Sequence, residues 1–396
     1  MPNYHFFAVC PRTLEPILAE ELQGLGAQNV KINAGGVLFE GALDVSMRAC
    51  LESRYASRIL MRIATRQYYD SNDIYDTAHV LPWERFFDPD MKIRVDVTAH
   101  RSPLESLDFT TLRIKDGICD RFREVCGERP SIEKMFPDVR IHAFITERHC
   151  TFYFNLSGEP LFKRGWRIEK GEAPLKENLA AGLLALSGWS PEKPLQDPFC
   201  GSGTIAIEAA QIACHMAPGL NRTFAFEKLK MFDLDLWEEL KEDARAAINM
   251  SAKVKIAASD ISSIVVEKAR SNAERAGLSK LLEDERLTFT RCDAREVTPQ
   301  AQSGMIVTNP PYGEQSNPKS ASVASMMKNV ADNLKRQFSG WTAWMLTSDR
   351  KLPQQMRLSE SRKIVIFNGP LECRLFKFEM VSGSFRRKEK KDDTQS

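Results

Sequence analysis

The sequence lacks the features that mark metal-binding, membrane and secreted proteins. Its nine cysteines include no C-x-x-C pair and have no histidine cluster at zinc spacing nearby, so we interpret them as free thiols. No stretch approaches the roughly 18 apolar residues that a membrane-spanning helix needs. The opening segment has no basic stretch ahead of an apolar run, as a signal peptide would have. We therefore expect no metal, no membrane association and a cytoplasmic, thiol-reducing location.

A strong charge of either sign is also missing. Lys plus Arg number 55 and Asp plus Glu number 53, which gives a formal net charge of +2 over 396 residues. Net charge alone therefore indicates no class of partner, and any nucleic-acid surface must be local. With 43% hydrophobic and 27% charged residues, the composition is that of an ordinary globular protein, long enough for two or three domains. A peptide-sized binding module and a wholly disordered chain are both excluded.

The N-terminal 160 residues show two α+β patterns in succession. An apolar run, an amphipathic helix, two strand patterns around Gly35-Gly36 and a second helix fill residues 1–62. Residues 63–160 contain a helix pattern, the alternating strand KIRVDVTA, a second helix pattern and two late strands. These patterns predict two small units, each with its own core.

The composition changes at residue 161. A basic and aromatic segment precedes a helix that begins after Pro174, and strand and helix patterns then alternate up to about residue 385. This alternation predicts an α/β domain: a doubly wound, mostly parallel sheet with helices on both faces. Residues 386–396 have too few apolar side chains to pack, so we predict a basic, disordered tail.

A glycine-rich turn lies near the start of the α/β domain. The segment DPFCGSGT, residues 197–204, follows a strand pattern and opens a helix. Gly201 and Gly203 let the backbone approach a ligand closely, and the helix start offers unpaired N–H groups. No G-K-[ST] follows, which excludes a phosphate loop. A plain strand-loop-helix turn is the alternative interpretation.

Two carboxylates end the next two strand patterns. Asp260 closes KIAASD and Asp293 closes LTFTRCD, and the carboxyl ends of parallel strands meet at one edge of a sheet. There Asp260 can accept the hydroxyls of a ribose and Asp293 can reach the exocyclic amine of an adenine. Taken singly, each aspartate is more often a turn or helix N-cap residue. Three successive strand ends together favour a nucleoside-containing cofactor.

The turn N-P-P-Y ends the strand GMIVT. Two adjacent prolines can neither continue a β-ladder nor enter a helix interior, so Pro310 and Pro311 predict a rigid, exposed turn. The Asn309 amide oxygen and the Pro310 carbonyl can accept both hydrogens of one amine, and Tyr312 can stack on a planar base. In isolation the motif would be only a turn. Combined with the glycine turn about a hundred residues earlier, it indicates a base-binding site.

These motifs resemble the class I S-adenosylmethionine-dependent methyltransferases that modify base amines through a [DN]-P-P-[YF] motif. The segments DPFCGSGTIAIEAA, APLKENLAAGLLALSGW, APGLNRTFAFEKL and NPPYGE resemble the bacterial large-subunit ribosomal RNA guanine-N2 methyltransferases that carry an RNA-binding THUMP domain. The resemblance implies a ferredoxin-like unit over residues 1–62, a THUMP domain over residues 63–160 and a Rossmann-like methyltransferase domain over residues 161–385.

The resemblance also implies a reaction, a cofactor and a partner. S-adenosylmethionine would donate a methyl group to the exocyclic N2 amine of a guanine in structured, ribosomal RNA. The cofactor contacts would be Asp197, Pro198, Gly201, Ser202, Gly203, Thr204, Asp260, Ile261, Asp293, Ala294 and Asn309, and the catalytic turn Asn309, Pro310, Pro311 and Tyr312. Two alternatives remain: methylation of adenine N6 in DNA, and a non-catalytic RNA-binding assembly factor.

A basic cluster around an aromatic ring precedes the α/β domain. Its members are Lys163, Arg164, Trp166, Arg167 and Lys170. Cations interleaved with an aromatic suit phosphate contacts and base stacking, so we predict that this cluster binds RNA. A solvated linker between domains is the alternative interpretation.

Overall fold

The computed structural model describes residues 3–168, 175–311 and 320–381. The N-terminal part contains strands β1 (Tyr4–Val9), β2 (Gln28–Asn33), β3 (Gly36–Gly41), β4 (Arg58–Gln67), β5 (Lys92–Ala99), β6 (Ser131–Ile132), β7 (Val139–Ile145) and β8 (His149–Asn155). Its helices are α1 (Glu15–Gly24), α2 (Leu43–Glu52), α3 (Ser71–Val80) and α4 (Leu107–Cys126), and Trp83–Arg85 forms a 3₁₀ turn.

The boundaries of these helices follow from local side-chain chemistry. Asp70 caps the start of helix α3: its carboxylate accepts the backbone N–H groups of Asn72 (2.7 Å) and Asp73 (3.2 Å). Helix α4 begins at Ser106, whose hydroxyl accepts the N–H of Phe109. The two helices pack against each other on the sheet.

The eight strands form one continuous sheet in the order β2-β3-β1-β4-β8-β7-β5-β6. Strands β4 and β8 join its two halves in an antiparallel pair that extends from Leu60 opposite Asn155 to Gln67 opposite His149. The boundary predicted after residue 62 therefore falls inside β4. The expectation of a separate core for each unit is wrong, because both units contribute to one hydrophobic core.

The C-terminal part contains a second sheet. Its strands are β9 (Leu195–Asp197), β10 (Ile256–Asp260), β11 (Leu287–Arg291), β12 (Met305–Thr308), β13 (Thr342–Thr347), β14 (Arg362–Asn368) and β15 (Leu371–Glu379). Its helices are α5 (Glu177–Ser187), α6 (Thr204–Ala213), α7 (Leu234–Ala246), α8 (Ser263–Arg275), α9 (Ser279–Glu283), α10 (Ser320–Gln337) and α11 (Leu352–Met356), with a 3₁₀ turn at Ala225–Lys228.

The topology of this sheet confirms the predicted doubly wound fold. The strand order is β11-β10-β9-β12-β13-β15-β14. The first five strands are parallel, and β15 pairs antiparallel with both β13 and β14. The order reverses at β9, with β10 on one side and β12 on the other. In open α/β sheets such a reversal opens a crevice at the carboxyl ends of the strands, where ligands bind.

Two hydrophobic cores lie under these layers. The larger core spans the N-terminal sheet and one face of the C-terminal sheet, with fully buried rings such as Phe39, Phe154 and Trp237. The smaller core fills the other face and includes Phe338 and Trp341. The N-terminal part is thus packed directly onto the domain that carries the predicted cofactor turn.

Other predictions about composition have mixed outcomes. All nine cysteines are free thiols, and Cys126 is exposed. Within the described ranges, no helix has both the length and the apolar composition needed to cross a membrane. The predicted tail, residues 386–396, lies outside the described residues, as do Lys170 and Tyr312.

Candidate active site

The glycine turn lies between β9 and α6, as predicted. Gly201 has φ +50° and Gly203 has φ +83°, a backbone region that favours glycine. A Cβ on Gly203 would meet the Phe289 ring at 2.9 Å and Ala269 at 3.1 Å. Gly203 is also the residue from which α6 begins. A side chain at this position would push the turn away from the sheet and distort the start of the helix.

Asp197 ends β9 and is fully buried beneath the turn. Its carboxylate accepts the Thr308 hydroxyl at 2.6 Å and the Phe199 N–H at 3.2 Å. Burial raises the pKa of Asp197 to about 7, although these two hydrogen bonds oppose the shift. Sequence reasoning missed Thr308; the available signal was a hydroxyl residue that closes an otherwise apolar strand.

Asp260 ends β10 and closes the turn from the other side. Its two carboxylate oxygens accept the N–H of Gly201 at 3.2 Å and the N–H of Ser262 at 3.0 Å. Each oxygen retains a further lone pair, so the group can still accept a hydroxyl. The neighbouring Ile261 side chain is largely exposed at the same edge.

Asp293 has a closer partner than the sequence indicated. Its carboxylate accepts two N–H groups of the Arg295 guanidinium, at 2.9 and 2.5 Å. These hydrogen bonds hold the pKa of Asp293 below its usual range. The next residue, Ala294, is buried against the smaller core. An adenine contact from Asp293 stays a prediction, and Arg295 is the group that would share the carboxylate.

The Asn-Pro-Pro turn begins directly after β12. Asn309 is half-buried, Pro310 is buried and Pro311 is half-buried. The side-chain oxygen Oδ1 of Asn309 is buried and has no hydrogen-bond partner among the described residues. A buried acceptor without a donor costs free energy in a folded protein, so such an atom indicates a place for a ligand donor.

A cavity of about 840 Å³ lies beside the glycine turn and the Asn-Pro-Pro turn. Five of the predicted residues line it: Asp197, Gly201, Ser202, Thr204 and Asn309. Pro198, Gly203, Asp260, Ile261, Asp293 and Ala294 are not among its lining residues. One wall comes from α8, which sequence reasoning missed although its polar residues recur at helical spacing.

The α8 wall is connected to the glycine turn by hydrogen bonds. Asn272 donates to the Ser202 carbonyl at 3.0 Å. Arg275 donates to the Trp166 carbonyl at 2.9 Å and to the Asn272 side chain at 2.5 Å. These bonds fix the turn to the helix that faces it and to the segment that enters the domain.

The structure corrects the predicted RNA-binding role of three members of the basic cluster, Arg164, Trp166 and Arg167. Arg164 is 4% exposed; it donates to the Leu161 and Arg54 carbonyls at 2.9 and 2.7 Å and faces Glu208 at 3.3 Å. Trp166 is 3% exposed. These side chains are used inside the protein, where RNA cannot reach them. Lys163 is exposed and pairs with Glu159.

Arg167 hydrogen-bonds to residues that line the cavity. Its guanidinium donates to the Thr204 hydroxyl at 2.6 Å and to the Leu175 carbonyl at 3.1 Å, and both residues line the cavity. It also lies 3.1 Å from the Glu177 carboxylate. Burial raises the pKa of Glu177 to about 7 and lowers the pKa of Arg167. Arg167 therefore holds Thr204, the first residue of α6, through a hydrogen bond.

Metal ligation has no candidate in the parts of the chain that can be described. Across residues 3–168, 175–311 and 320–381, no group of three or more His, Cys, Asp or Glu side chains is arranged to hold a metal ion.

The fold and these residues define a class of protein. A glycine turn after β9, a carboxylate at the end of β10 and Asn-Pro-Pro after β12, at the switch point of a doubly wound sheet, are the features of a class I S-adenosylmethionine-dependent methyltransferase.

Comparison with known families identifies the particular one. The family model described as an RMKL-like methyltransferase domain matches residues 164–377, so the chain belongs to the RMKL-like methyltransferase family. A THUMP domain matches residues 68–155 and an RlmL ferredoxin-like domain matches residues 5–60. The resemblance drawn from the motifs is confirmed, including the order of the three parts.

Individual relatives agree with this assignment. The chain is 39% identical over 375 residues to a ribosomal RNA large subunit methyltransferase K/L of Psychromonas ingrahamii, covering 93% of this chain and 49% of that protein. A protein of the same name from Aeromonas hydrophila is 39% identical over 394 residues, covering 96% of this chain and 55% of that protein. The chain thus spans about half the length of the curated relatives it matches.

Solved structures share the whole architecture. SMU.472, complexed with SAH, superposes with a TM-score of 0.86 at 26% identity and covers 97% of this chain and 100% of that chain. A protein from Listeria monocytogenes, described as a predicted N6-adenine-specific DNA methylase, has a TM-score of 0.85 at 28% identity, covering 96% of each chain.

S-adenosylmethionine is the cofactor of this class, and the residues present fit it. Gly201 lines the cavity and a Cβ on it would meet only open space, so the backbone there leaves room for the cofactor, and Asp260 keeps acceptor capacity for a ribose. Asp197, Gly201 and Ser202 would hold the methionine part and Asp260 the ribose. When bound, the cofactor supplies a sulfonium methyl group.

Proposed function

We propose that the chain transfers the methyl group of S-adenosylmethionine to the exocyclic N2 amine of a guanine in large-subunit ribosomal RNA. One observation carries the proposal: Oδ1 of Asn309 is a buried acceptor without a donor, and Asn309 lines the cavity that the glycine turn also lines. An exocyclic amine supplies the missing donor.

Methyl transfer to this amine depends more on the positioning of the base than on acid–base catalysis. The lone pair of a guanine amine is delocalised into the ring, so the nitrogen is a weak nucleophile. Asn309 Oδ1 and the Pro310 carbonyl would accept its two N–H bonds and turn the lone pair out of the ring plane. A nitrogen–carbon bond then forms as the carbon–sulfur bond breaks, and the methylated nitrogen loses a proton to water. Orientation of this kind is worth several orders of magnitude in rate.

The target base must leave its stack to reach the turn. Unstacking costs a few kcal/mol in a duplex and less in a loop, which favours a single-stranded or irregular RNA segment. We expect Tyr312 to stack on the extruded base, as the motif predicts. The RNA substrate is supported by the THUMP match and by the names of the relatives, and guanine N2 by the resemblance of the motifs.

The two alternatives remain distinct by experiment. The description of the Listeria monocytogenes protein as an N6-adenine-specific DNA methylase is the observation that favours adenine in DNA. The ferredoxin-like and THUMP parts favour structured RNA. Comparison of methyl incorporation into duplex DNA and into ribosomal RNA separates these substrates, and any turnover by the purified protein eliminates a purely non-catalytic role.

The decisive experiment uses the gene's own host. The gene is deleted, ribosomal RNA is digested, and methylated nucleosides are quantified by mass spectrometry. We expect the loss of one N2-methylguanosine equivalent, restored by the wild type but not by Asn309→Ala. Asn249→Ala, which changes an exposed amide that does not line the cavity, is the matched control and should restore the nucleoside fully.

Cofactor affinity separates loss of catalysis from loss of folding. Asn309→Ala should bind S-adenosylmethionine within about threefold of wild type by calorimetry, since the variant keeps the glycine turn and Asp260. Its methyl transfer should fall at least about 100-fold, because amine orientation is lost. Restoration of the nucleoside by Asn309→Ala would refute the role of this turn.

A further inference from the structure

A second cavity lies where the N-terminal part meets the methyltransferase domain. Its volume is about 350 Å³. Arg12 and Ser57 line it from the N-terminal part, Lys176 from the start of α5, and Phe367 and Gly369 from the β14–β15 hairpin. We name it the Arg12–Lys176 cleft.

The cleft and the cofactor cavity are lined by consecutive residues of the chain. Leu175 lines the cofactor cavity and Lys176 lines the cleft, and the Cα atoms of consecutive residues are only about 3.8 Å apart. The hairpin also reaches the active-site edge: Thr347, at the end of β13, pairs with Arg374, so residues 368–373 extend beyond that edge. Gly369 of this hairpin lines the cleft, so the cleft reaches the same sheet edge as the Asn-Pro-Pro turn.

The cleft carries two cations without carboxylate partners. The Arg12 guanidinium lies 5.9 Å from the centroid of the Phe367 ring, and Lys176 Nζ lies 4.9 Å from that of Phe162. Neither cation forms an ion pair with any residue that the structure describes. Glu15 is the nearby acid, and its oxygens accept the N–H groups of Thr13 and Gly35. Cations left for solvent beside an aromatic ring favour a phosphodiester backbone.

The backbone beside Arg12 is held in a rare conformation. Thr13 has φ +85°, a region that β-branched residues seldom adopt. Its hydroxyl donates to the Val365 carbonyl at 2.7 Å, and its N–H donates to Glu15 at 2.6 Å. These bonds fix Arg12 against the hairpin. Such a conformation persists only where the surrounding structure enforces it, and it occurs most often at binding sites.

Ser57 adds a hydroxyl donor on the N-terminal side. Its Oγ accepts the side-chain N–H of the fully buried Asn178 at 3.0 Å. With this acceptor position occupied, the hydroxyl hydrogen remains for a ligand oxygen. The cleft thus combines a guanidinium, an ammonium and a hydroxyl, which is a donor set for phosphate oxygens.

We propose that the Arg12–Lys176 cleft binds backbone phosphates of the single-stranded RNA segment next to the target base. This inference rests on the proposed function and adds the path that the RNA takes away from the catalytic turn. Binding there would hold the nucleotides flanking an extruded base while the Asn-Pro-Pro turn holds the base itself.

The test measures RNA affinity against salt concentration. The probe is large-subunit ribosomal RNA extracted from the deletion strain, with the full chain as wild type and as Arg12→Gln/Lys176→Gln. Removal of one phosphate-binding cation should lower the slope of log K against log salt by about 0.7 on single-stranded RNA, so the double variant should lose about 1.4. We expect its Kd for RNA to rise about tenfold, while its Kd for S-adenosylmethionine stays within twofold.

The matched control removes two charges elsewhere. Lys253 and Lys280 are exposed and precede β10 and β11, at the sheet edge opposite the cofactor cavity, so Lys253→Ala/Lys280→Ala should behave as wild type. A charge-keeping variant, Arg12→Lys/Lys176→Arg, should retain most of the salt slope. If the glutamine variant and the control have the same RNA affinity and slope, the proposal is wrong.

The outcomes also distinguish this proposal from the proposed function. If the wild type methylates the RNA and the glutamine variant binds it equally well, only the proposal that the cleft binds phosphates is wrong. A wild type that binds RNA but methylates none of it overturns the function, and the salt slopes still decide the cleft. If the glutamine variant binds naked RNA as tightly as the wild type but binds ribosomal particles more weakly, the cleft contacts a protein and the proposal is wrong.

Discussion

At the residue scale, Asp197 combines complete burial with a site for a cationic cofactor. Its pKa in the folded protein is about 7, above its value of about 4 in an unfolded chain. Between these values the folded state binds more protons than the unfolded state. The stability that this proton supplies is therefore complete below pH 4 and is lost as pH rises through 7.

This difference predicts the effect of Asp197→Asn on stability. At pH 8 the free energy of unfolding of the variant should exceed that of the wild type by on the order of 2 to 4 kcal/mol, because the variant buries no charge. At pH 4 the two should agree more closely. Urea denaturation at both values measures the effect, and comparison at matched pH removes the contribution of Glu177, which titrates in the same range. An equal difference at both pH values would contradict the prediction.

The same residue explains why the site is not optimised for stability. Asp197→Asn should weaken binding of the cationic cofactor, since the carboxylate that becomes ionised above pH 7 lines its cavity. A stabilising change that harms function is the usual finding at an active site.

At the element scale, α6 links the cofactor turn to the N-terminal part. Its Glu208 is fully buried; Arg164 lies 3.3 Å from one carboxylate oxygen and Arg54 lies 3.8 Å from the other. Arg54 also donates to the Met216 carbonyl at 2.5 Å. Helix α6 is therefore held both by Arg54 of the N-terminal part and by Arg164 of the segment that enters the domain.

Neighbouring residues of the entering segment give a matched test. Arg164→Met leaves Glu208 with only its weaker partner and should lower the free energy of unfolding by about 3 kcal/mol, as for other broken buried pairs. Lys163→Met removes an exposed pair with Glu159 and should change stability by less than about 1 kcal/mol. Urea denaturation of both variants decides the point; similar stability in the two would show that the buried Arg164–Glu208 pair contributes no more than the exposed Lys163–Glu159 pair.

Sequence could predict the local parts of the site and not the long-range ones. Three parts of the site are local motifs of a few consecutive residues at a strand end: the glycine turn, Asp260 and the Asn-Pro-Pro turn. The burial of Arg164 depends on Arg54 and Glu208, which are 110 and 44 residues away. For this basic cluster, the alternative interpretation of a linker between domains agrees better with the structure than RNA binding does, although the linker is packed rather than solvated.

At the scale of the whole molecule, the shared N-terminal sheet was the feature that the sequence concealed. Strand β4 pairs with β1 through Phe6 opposite Met61 and with β8 through Met61 opposite Phe154. A strand with partners on both sides has the same apolar pattern whether those partners belong to one unit or to two. The pairing of β4 with β8 joins segments about ninety residues apart, and no local signal reports it.

This continuity predicts that the two N-terminal units unfold together. Phe154 is 1% exposed and packs edge-on against Trp83 and Phe86, with ring centroids 5.9 and 5.2 Å away. Phe154→Ala should cost about 3 to 5 kcal/mol. Hydrogen exchange should then show lower protection in β1 as well as in β7, although Phe154 lies on neither strand.

The smaller core provides the matched control. Phe338 is equally buried and packs edge-on against Trp341 at 5.3 Å, but every buried member of its core lies at position 294 or later. Phe338→Ala should lower protection in β12 and β13 and leave β1 and β7 unchanged. If Phe154→Ala affected β7 alone, the ferredoxin-like and THUMP parts would be separate cooperative units despite their common sheet. Loss in both strands would mean that the ferredoxin-like and THUMP parts unfold as one cooperative unit.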